Sequence, residues 1–187
     1  MTVHDFAERL AYSHDQADKP WWKTVYERAF PDMVSMVDLR HDGWHQRAGR
    51  DRAIVLSSGR TIWVDEKVRG ESYDDIAVEV WSQYPKGGVQ PYRPVDGAKP
   101  GWAREPKDCD WLAYAFEPTS TCFLFPFLGV RAALEKHKRD WVDHANTETD
   151  GFMWVVAENR RYKTISIAVP VWILQGAITD AMTITWA

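Results

Sequence analysis

The stretch from Asp51 to Val68 constrains this chain more than any other. Asp51-Arg52-Ala53-Ile54-Val55-Leu56 reads as a strand, Ser57-Ser58-Gly59 as a tight turn, and Arg60-Thr61-Ile62-Trp63-Val64-Asp65-Glu66-Lys67-Val68 as a second strand. A three-residue loop ending in glycine is a common hairpin connection, with the glycine in the left-handed conformation. Loop length sets the register, so Leu56 faces Arg60, Val55 faces Thr61, Ala53 faces Trp63 and Asp51 faces Asp65. Successive side chains alternate between faces. Asp51, Asp65 and Lys67 therefore share one face at the open end of the hairpin, and Ile62, Val64, Glu66 and Val68 share the other.

The remaining patterns arrange further elements around this hairpin. Residues 3–18 read as a short helix. Trp21 to Phe30 reads as a stronger one, with Trp21, Trp22, Val25, Tyr26, Ala29 and Phe30 on one stripe and Pro31 closing it. Met33 to Leu39 is an expected strand, His41 to Arg50 a polar loop, and Ile76 to Trp81 another strand. Residues 84–107 hold five of the ten prolines and four glycines, the composition of a long loop. Trp111–Phe116 and Thr121–Phe127 form a second hairpin, Leu128–Trp141 a helix, and Phe152–Ala157 with Tyr162–Val169 a third hairpin. Pro170 opens a last helix. The expected fold is one α+β domain over 1–187, α/β/α-like, with a central mixed, mostly antiparallel sheet flanked by helices.

Composition narrows the function. With 23 Lys+Arg against 27 Asp+Glu the net charge is −4, which excludes a bulk polycation that coats nucleic acid but not a protein with a local basic face. Two cysteines are too few for a disulfide-dense scaffold, and Cys109 and Cys122 fall at opposite ends of a strand pair, as two free thiols. Residues 1–20 lack an apolar secretory core, and Pro126 and Arg131 interrupt the most apolar stretch, Cys122–Leu134. A soluble, cytoplasmic protein with no membrane partner is the expectation.

Opposed carboxylates across a strand pair have Cβ atoms roughly 5 Å apart and repel. A divalent cation offsets that repulsion, since Mg²⁺ takes one or two carboxylates together with water and substrate phosphate. Lys67 adds positive charge on the same face. Asp51 followed, after a hairpin, by Asp65-Glu66-Lys67 resembles the PD-(D/E)XK nuclease superfamily, the restriction-endonuclease-like fold. The resemblance covers roughly residues 46–83. It implies that Asp51 and Asp65 are metal ligands, that Glu66 contributes its backbone carbonyl, and that Lys67 orients or activates the attacking water. Glu79, on the following strand, would be an additional catalytic acid. The implied cofactor is Mg²⁺ or Mn²⁺, and the implied activity is hydrolysis of phosphodiester bonds in nucleic acid, as a DNA endonuclease. A homodimer would suit double-strand cutting. Gln46, Arg47, Arg50 and Arg69 are the candidate nucleic-acid contacts. Arg50 stands where the family motif has proline, and Glu27 is the one acid the first strong helix offers; it points away from that helix's apolar stripe.

Other readings compete. Asp51, Asp65 and Lys67 could form a solvated salt bridge at a strand end, and Glu66, on the core-like face, would need a partner such as Arg52 or Arg69. Glu79 could equally be a partly buried acid paired with a base. A catalytically inactive nucleic-acid-binding or assembly protein on the same fold is the alternative function, and a Trp-rich carbohydrate-binding module a third. A second acid-x-Lys triplet, Glu105-Pro106-Lys107, lies in the Pro-rich loop. His41 and His45 have a zinc-like spacing, but Gly43 lies between them and no helix is expected there. Basic clusters at Arg131–Arg139 and Arg160–Lys163 could track a phosphate backbone or simply be solvated. Among eleven tryptophans, Trp63, Trp81, Trp111, Trp154 and Trp172 sit on core patterns. Trp44 and Trp102, in loops, either stack on bases or cap the core, capping being the expected role.

Overall fold

The computed structural model describes residues 2–5, 19–86, 93–158 and 160–187. In chain order they form β1 (Thr2–Asp5), α1 (Trp21–Ala29), β2 (Met33–Asp38), α2 (Gly43–Arg47), β3 (Arg52–Leu56), β4 (Thr61–Arg69), β5 (Asp75–Pro85) and β6 (Lys99–Pro100). Then come β7 (Trp111–Phe116), β8 (Thr121–Pro126), α3 (Phe127–Thr147), β9 (Met153–Glu158), β10 (Tyr162–Pro170), α4 (Val171–Ala177) and β11 (Met182–Thr185). The class is α+β, as expected. The expected single central sheet is instead two sheets, one in each of two compact units. Among the described residues no helix is long and apolar enough to cross a membrane.

The first unit comprises the described residues of 2–5, 74–106 and 130–177. Its sheet runs β1-β9-β10-β5-β6, with β1 parallel to β9 and the other pairs antiparallel. β9 and β10 are the expected third hairpin. Ile165, Ile167, Ala168 and Val169 are buried along β10, a near-continuous apolar run that suits a strand with neighbours on both sides. From α3, Leu134, Trp141 and Ala145 are buried, Trp141 packs against Phe152, and Asn146 Oδ1 accepts the Trp154 indole N–H at 3.0 Å. Residues 3–5 of the expected first helix are strand β1; residues 6–18, like Gly87-Gly88, lie outside the described residues. The expected long loop begins inside β5 and contains a short strand, β6, which pairs with β5. Trp172 is 70% exposed, not core: it is two residues from buried Leu174, hence on the opposite side of α4.

The second unit comprises the described residues of 19–73, 107–129 and 178–187. Its sheet runs β11-β8-β7-β4-β3-β2. Here β4 and β7 are parallel, so residues 70–110 must form the crossover between them, while β2-β3-β4 and β7-β8-β11 are antiparallel. The stripe read on α1 buries Trp22, Val25 and Tyr26 against Ile54, Ile62, Val64, Ala113, Ala115, Cys122 and Leu124. The hairpin register is the one read from the loop: Val55 pairs with Thr61, Ala53 with Trp63 and Arg52 with Val64. Gly59 takes φ +82°, a conformation that side chains disfavour, and Leu56 N–H closes the turn on Arg60 O. The terminal strand β11 is not expected from sequence. Cys109 and Cys122 are buried and unbridged, as expected.

Candidate metal centre on the β3–β4 hairpin

Antiparallel register delivers Asp51 and Asp65 to the same place. Asp51 sits one residue before β3 and extends its ladder: its N–H donates to Val64 O at 2.9 Å, and its Oδ2 accepts the Glu66 N–H at 2.9 Å. One carboxylate oxygen of Asp51 thus stands in for a strand carbonyl. Its carboxylate lies close enough to that of Asp65 for the charge of one to raise the pKa of the other. Lys67, two residues along β4, ion-pairs with Asp65 Oδ1, and its Nζ lies 3.3 Å from Glu66 O. Three of the sequence-expected groups, and the carbonyl of the fourth, therefore converge.

Asp65 is 4% exposed. Burial pushes its pKa up to about 7; the Asp51 carboxylate adds to the rise and the Lys67 ammonium opposes it. Asp65 therefore tends to hold a proton near neutral pH. In the unfolded chain the same group titrates at the ordinary carboxylate value, near 4. Between these values the folded state carries a proton that the unfolded state has lost. This group's contribution to stability is therefore complete at the acid end, declines as pH rises to about 7, and changes no further above it. We expect Asp65→Asn, in EDTA, to gain urea midpoint relative to wild type as pH goes from 4 to 8. A constant difference across that range would contradict the assignment.

The Glu66 side chain points to the other face, into the core, and its carboxylate is no metal ligand. It accepts from Tyr26 Oη at 2.7 Å, from Arg52 Nε at 2.8 Å and from Arg52 Nη2 at 3.1 Å. Burial pushes the Glu66 pKa up, and the Arg52 guanidinium with its hydrogen bonds pulls it part-way back. Burial alone would loosen the Arg52 proton, but Glu66 more than reverses that. Arg52, one of the two partners expected for Glu66, is its core partner, with Asp38 3.7 Å away. Glu79 belongs to the first unit, on β5, where its carboxylate accepts the Trp102 N–H at 3.2 Å. Gly101 is required there, because a Cβ would lie 2.5 Å from Glu79 O. Glu27 pairs with Lys23 on the surface of α1.

The four candidate nucleic-acid contacts separate. Gln46 and Arg47 are exposed on α2, a helix inside the expected loop. Asp42 was its signal: its carboxylate accepts the Trp44 and His45 N–H groups at 2.8 and 3.3 Å, an N-cap that Gly43 obscures. His41 precedes this helix, so the two histidines are not one turn apart on it. Arg50 is buried; its Nε donates to Asp108 O at 2.7 Å and its guanidinium pairs with the Asp108 carboxylate. Arg69 Nε donates to Tyr114 Oη at 2.7 Å. Trp44 is 60% exposed and does not cap the core, whereas Trp102 is buried.

Two neighbours of the acid pair were not singled out as site residues. Asp110 Oδ2 accepts the Trp63 N–H, and Asp110 N–H donates to Trp63 O, both at 2.8 Å, latching the approach to β7 onto β4. The thiol of Cys109, between Asp108 and Asp110, is pushed up by burial and further by Asp65. These contacts arise from the parallel β4–β7 pairing, which no local pattern in the sequence encodes.

Among the described residues no group of three or more His, Cys, Asp or Glu side chains gathers as a metal cage. The donors present are two carboxylates and a strand carbonyl. That set suits a hard cation that keeps much of its water, and the Lys67 ammonium already bridges Asp65 and the Glu66 carbonyl as a cation would. Comparison with protein-family models, with curated proteins and with solved structures finds no match to this chain.

Proposed function

We propose that the Asp51–Asp65–Lys67 group is the catalytic centre of a Mg²⁺- or Mn²⁺-dependent phosphodiesterase acting on nucleic acid, a DNA endonuclease of the PD-(D/E)XK type. The observation that carries the reading is the placement of two carboxylates beside an ammonium at the open end of one hairpin, with Asp51 tied to the Glu66 N–H and Lys67 ion-paired to Asp65. As a solution for solubility alone, a close acid pair with one member buried is poor. Asp51, Asp65 and the Glu66 carbonyl would hold the ion, which when bound polarises a phosphoryl oxygen and acidifies a water. Lys67, partly exposed, places positive charge where negative charge develops on the phosphate and orients the attacking water. The Glu66–Arg52–Tyr26 contacts on the core side fix the strand from which Asp65 and Lys67 project.

The test is a metal-titrated cleavage assay on linear, circular, branched and single-stranded DNA. Cleavage that requires Mg²⁺ or Mn²⁺ and stops in EDTA is expected; cleavage unaffected by EDTA would remove the metal from the mechanism. One observation favours the inactive alternative, namely that Lys67 already compensates Asp65. A thermal melt separates the two. An ion-binding site raises the midpoint with millimolar Mg²⁺ by mass action, and a purely structural salt bridge leaves it flat.

A further inference from the structure

The face of β4 that carries Asp65 and Lys67 also carries Trp63, two residues before Asp65 and so roughly 7 Å along the strand. The Arg50 guanidinium lies 4.3 Å from the centroid of the Trp63 ring and 5.3 Å from that of Trp44. His45 stacks on Trp63 at 5.5 Å and meets Trp44 edge-on at 4.9 Å. Asp42 fixes the backbone of Trp44, and Asp108 fixes Arg50 and compensates its charge. The result is a layered stack that begins beside the acid pair and ends in an indole that is 60% exposed. The exposed indole is thus braced from behind and presented on a short, capped helix that also carries exposed Gln46 and Arg47.

We infer that Trp44 is a stacking platform for an unpaired nucleobase, so that this chain engages single-stranded or frayed nucleic acid next to the Asp51–Asp65 centre. The inference deepens the nuclease reading and rests on it for the phosphate site, but the stack itself is read by binding alone. Bases inside a duplex already have both faces covered, whereas an unpaired base offers a π-face to an aromatic side chain. A rigid indole loses little freedom on binding, and Arg47 supplies positive charge for the backbone. The stack tolerates any base, since it makes no edge contact that reads sequence.

The experiment is fluorescence anisotropy of a labelled single-stranded DNA 12-mer, of the same strand annealed to its complement, and of an abasic strand, all in EDTA so that nothing is cleaved. Wild type is expected to prefer the single strand. Trp44→Ala should weaken it about tenfold, Trp44→Phe should restore most of the affinity, and the abasic strand should bind wild type as weakly as the intact strand binds Trp44→Ala. Equal affinity of wild type and Trp44→Ala, equal affinity for strand and duplex, or no binding by wild type would each overturn the platform. A wild type that binds strands through Trp44 yet cleaves nothing in Mg²⁺ sinks the nuclease reading alone. Asp65-dependent cleavage with no effect of Trp44→Ala on binding sinks the platform alone.

Discussion

Replacing Asp65 with alanine is expected to remove metal-dependent cleavage, lowering the rate by at least roughly 10²- to 10³-fold with the fold retained. Asp65 is the cleanest residue for this test. Asp51 also accepts the Glu66 N–H, so its removal unties the end of the ladder as well as the proposed ion site. Lys67 contacts both Asp65 and the Glu66 carbonyl, so its removal alters two donors together. Asp65 ion-pairs with Lys67 on its own strand, and its burial as an acid opposes folding above neutral pH. The alanine variant therefore should not melt earlier than wild type at pH 8. Circular dichroism and a melt establish the fold, and initial rates on supercoiled DNA give the activity. Wild-type rates in a folded Asp65→Ala would falsify the catalytic assignment.

The largest expected loss of stability comes from the other face of the same strand. Arg52→Ala leaves the Glu66 carboxylate buried with Tyr26 Oη but without its guanidinium. Removing one partner of a buried ion pair costs about 3–5 kcal/mol. For a chain of this length that corresponds to a fall in Tm on the order of 10 °C. The cost arises from the stranded charge, so removing both charges should recover most of it. An Arg52→Met, Glu66→Leu double variant is expected to melt within a few degrees of wild type. If Arg52→Ala melts with wild type, Glu66 is not held as described. If the double variant is as weak as the single one, shape rather than charge sets the cost.

The hairpin at the centre of both predictions was legible because its information is local. Alternation with period two, a glycine at the only turn position that favours it, and a loop of fixed length determine which side chains face each other. The stripe on α1 was legible for the same reason. The division into two sheets was not. β5 has the alternation of a half-buried strand, but its partner β10 lies some eighty residues along the chain, and nothing local distinguishes that partner from β4. β11 is four residues of mixed polarity, and its strand state comes from pairing with β8. Arg52 and Glu66 illustrate a further limit. Both are charged, yet both face the core, because each satisfies the other on the diagonal of the hairpin. The acid pair could be read from register, but the stack behind Trp44 depends on Arg50 folding back over Trp63, a tertiary contact with no periodic signature.

The parallel partner of β4 has a consequence for how the acid pair is assembled. β3 reaches β4 across the turn at 57–60, whereas β7 reaches it only after residues 70–110 have been closed into a loop. Loop-closure entropy grows with the logarithm of length, so the longer closure costs about 2 kcal/mol more than the shorter. Asp51 and Asp65 are thus brought opposite each other by the cheaper contact, and the long-range strand joins the free edge of β4 once that register is set. A lesion confined to the β4–β7 pairing would therefore loosen the sheet while the two carboxylates stay opposed.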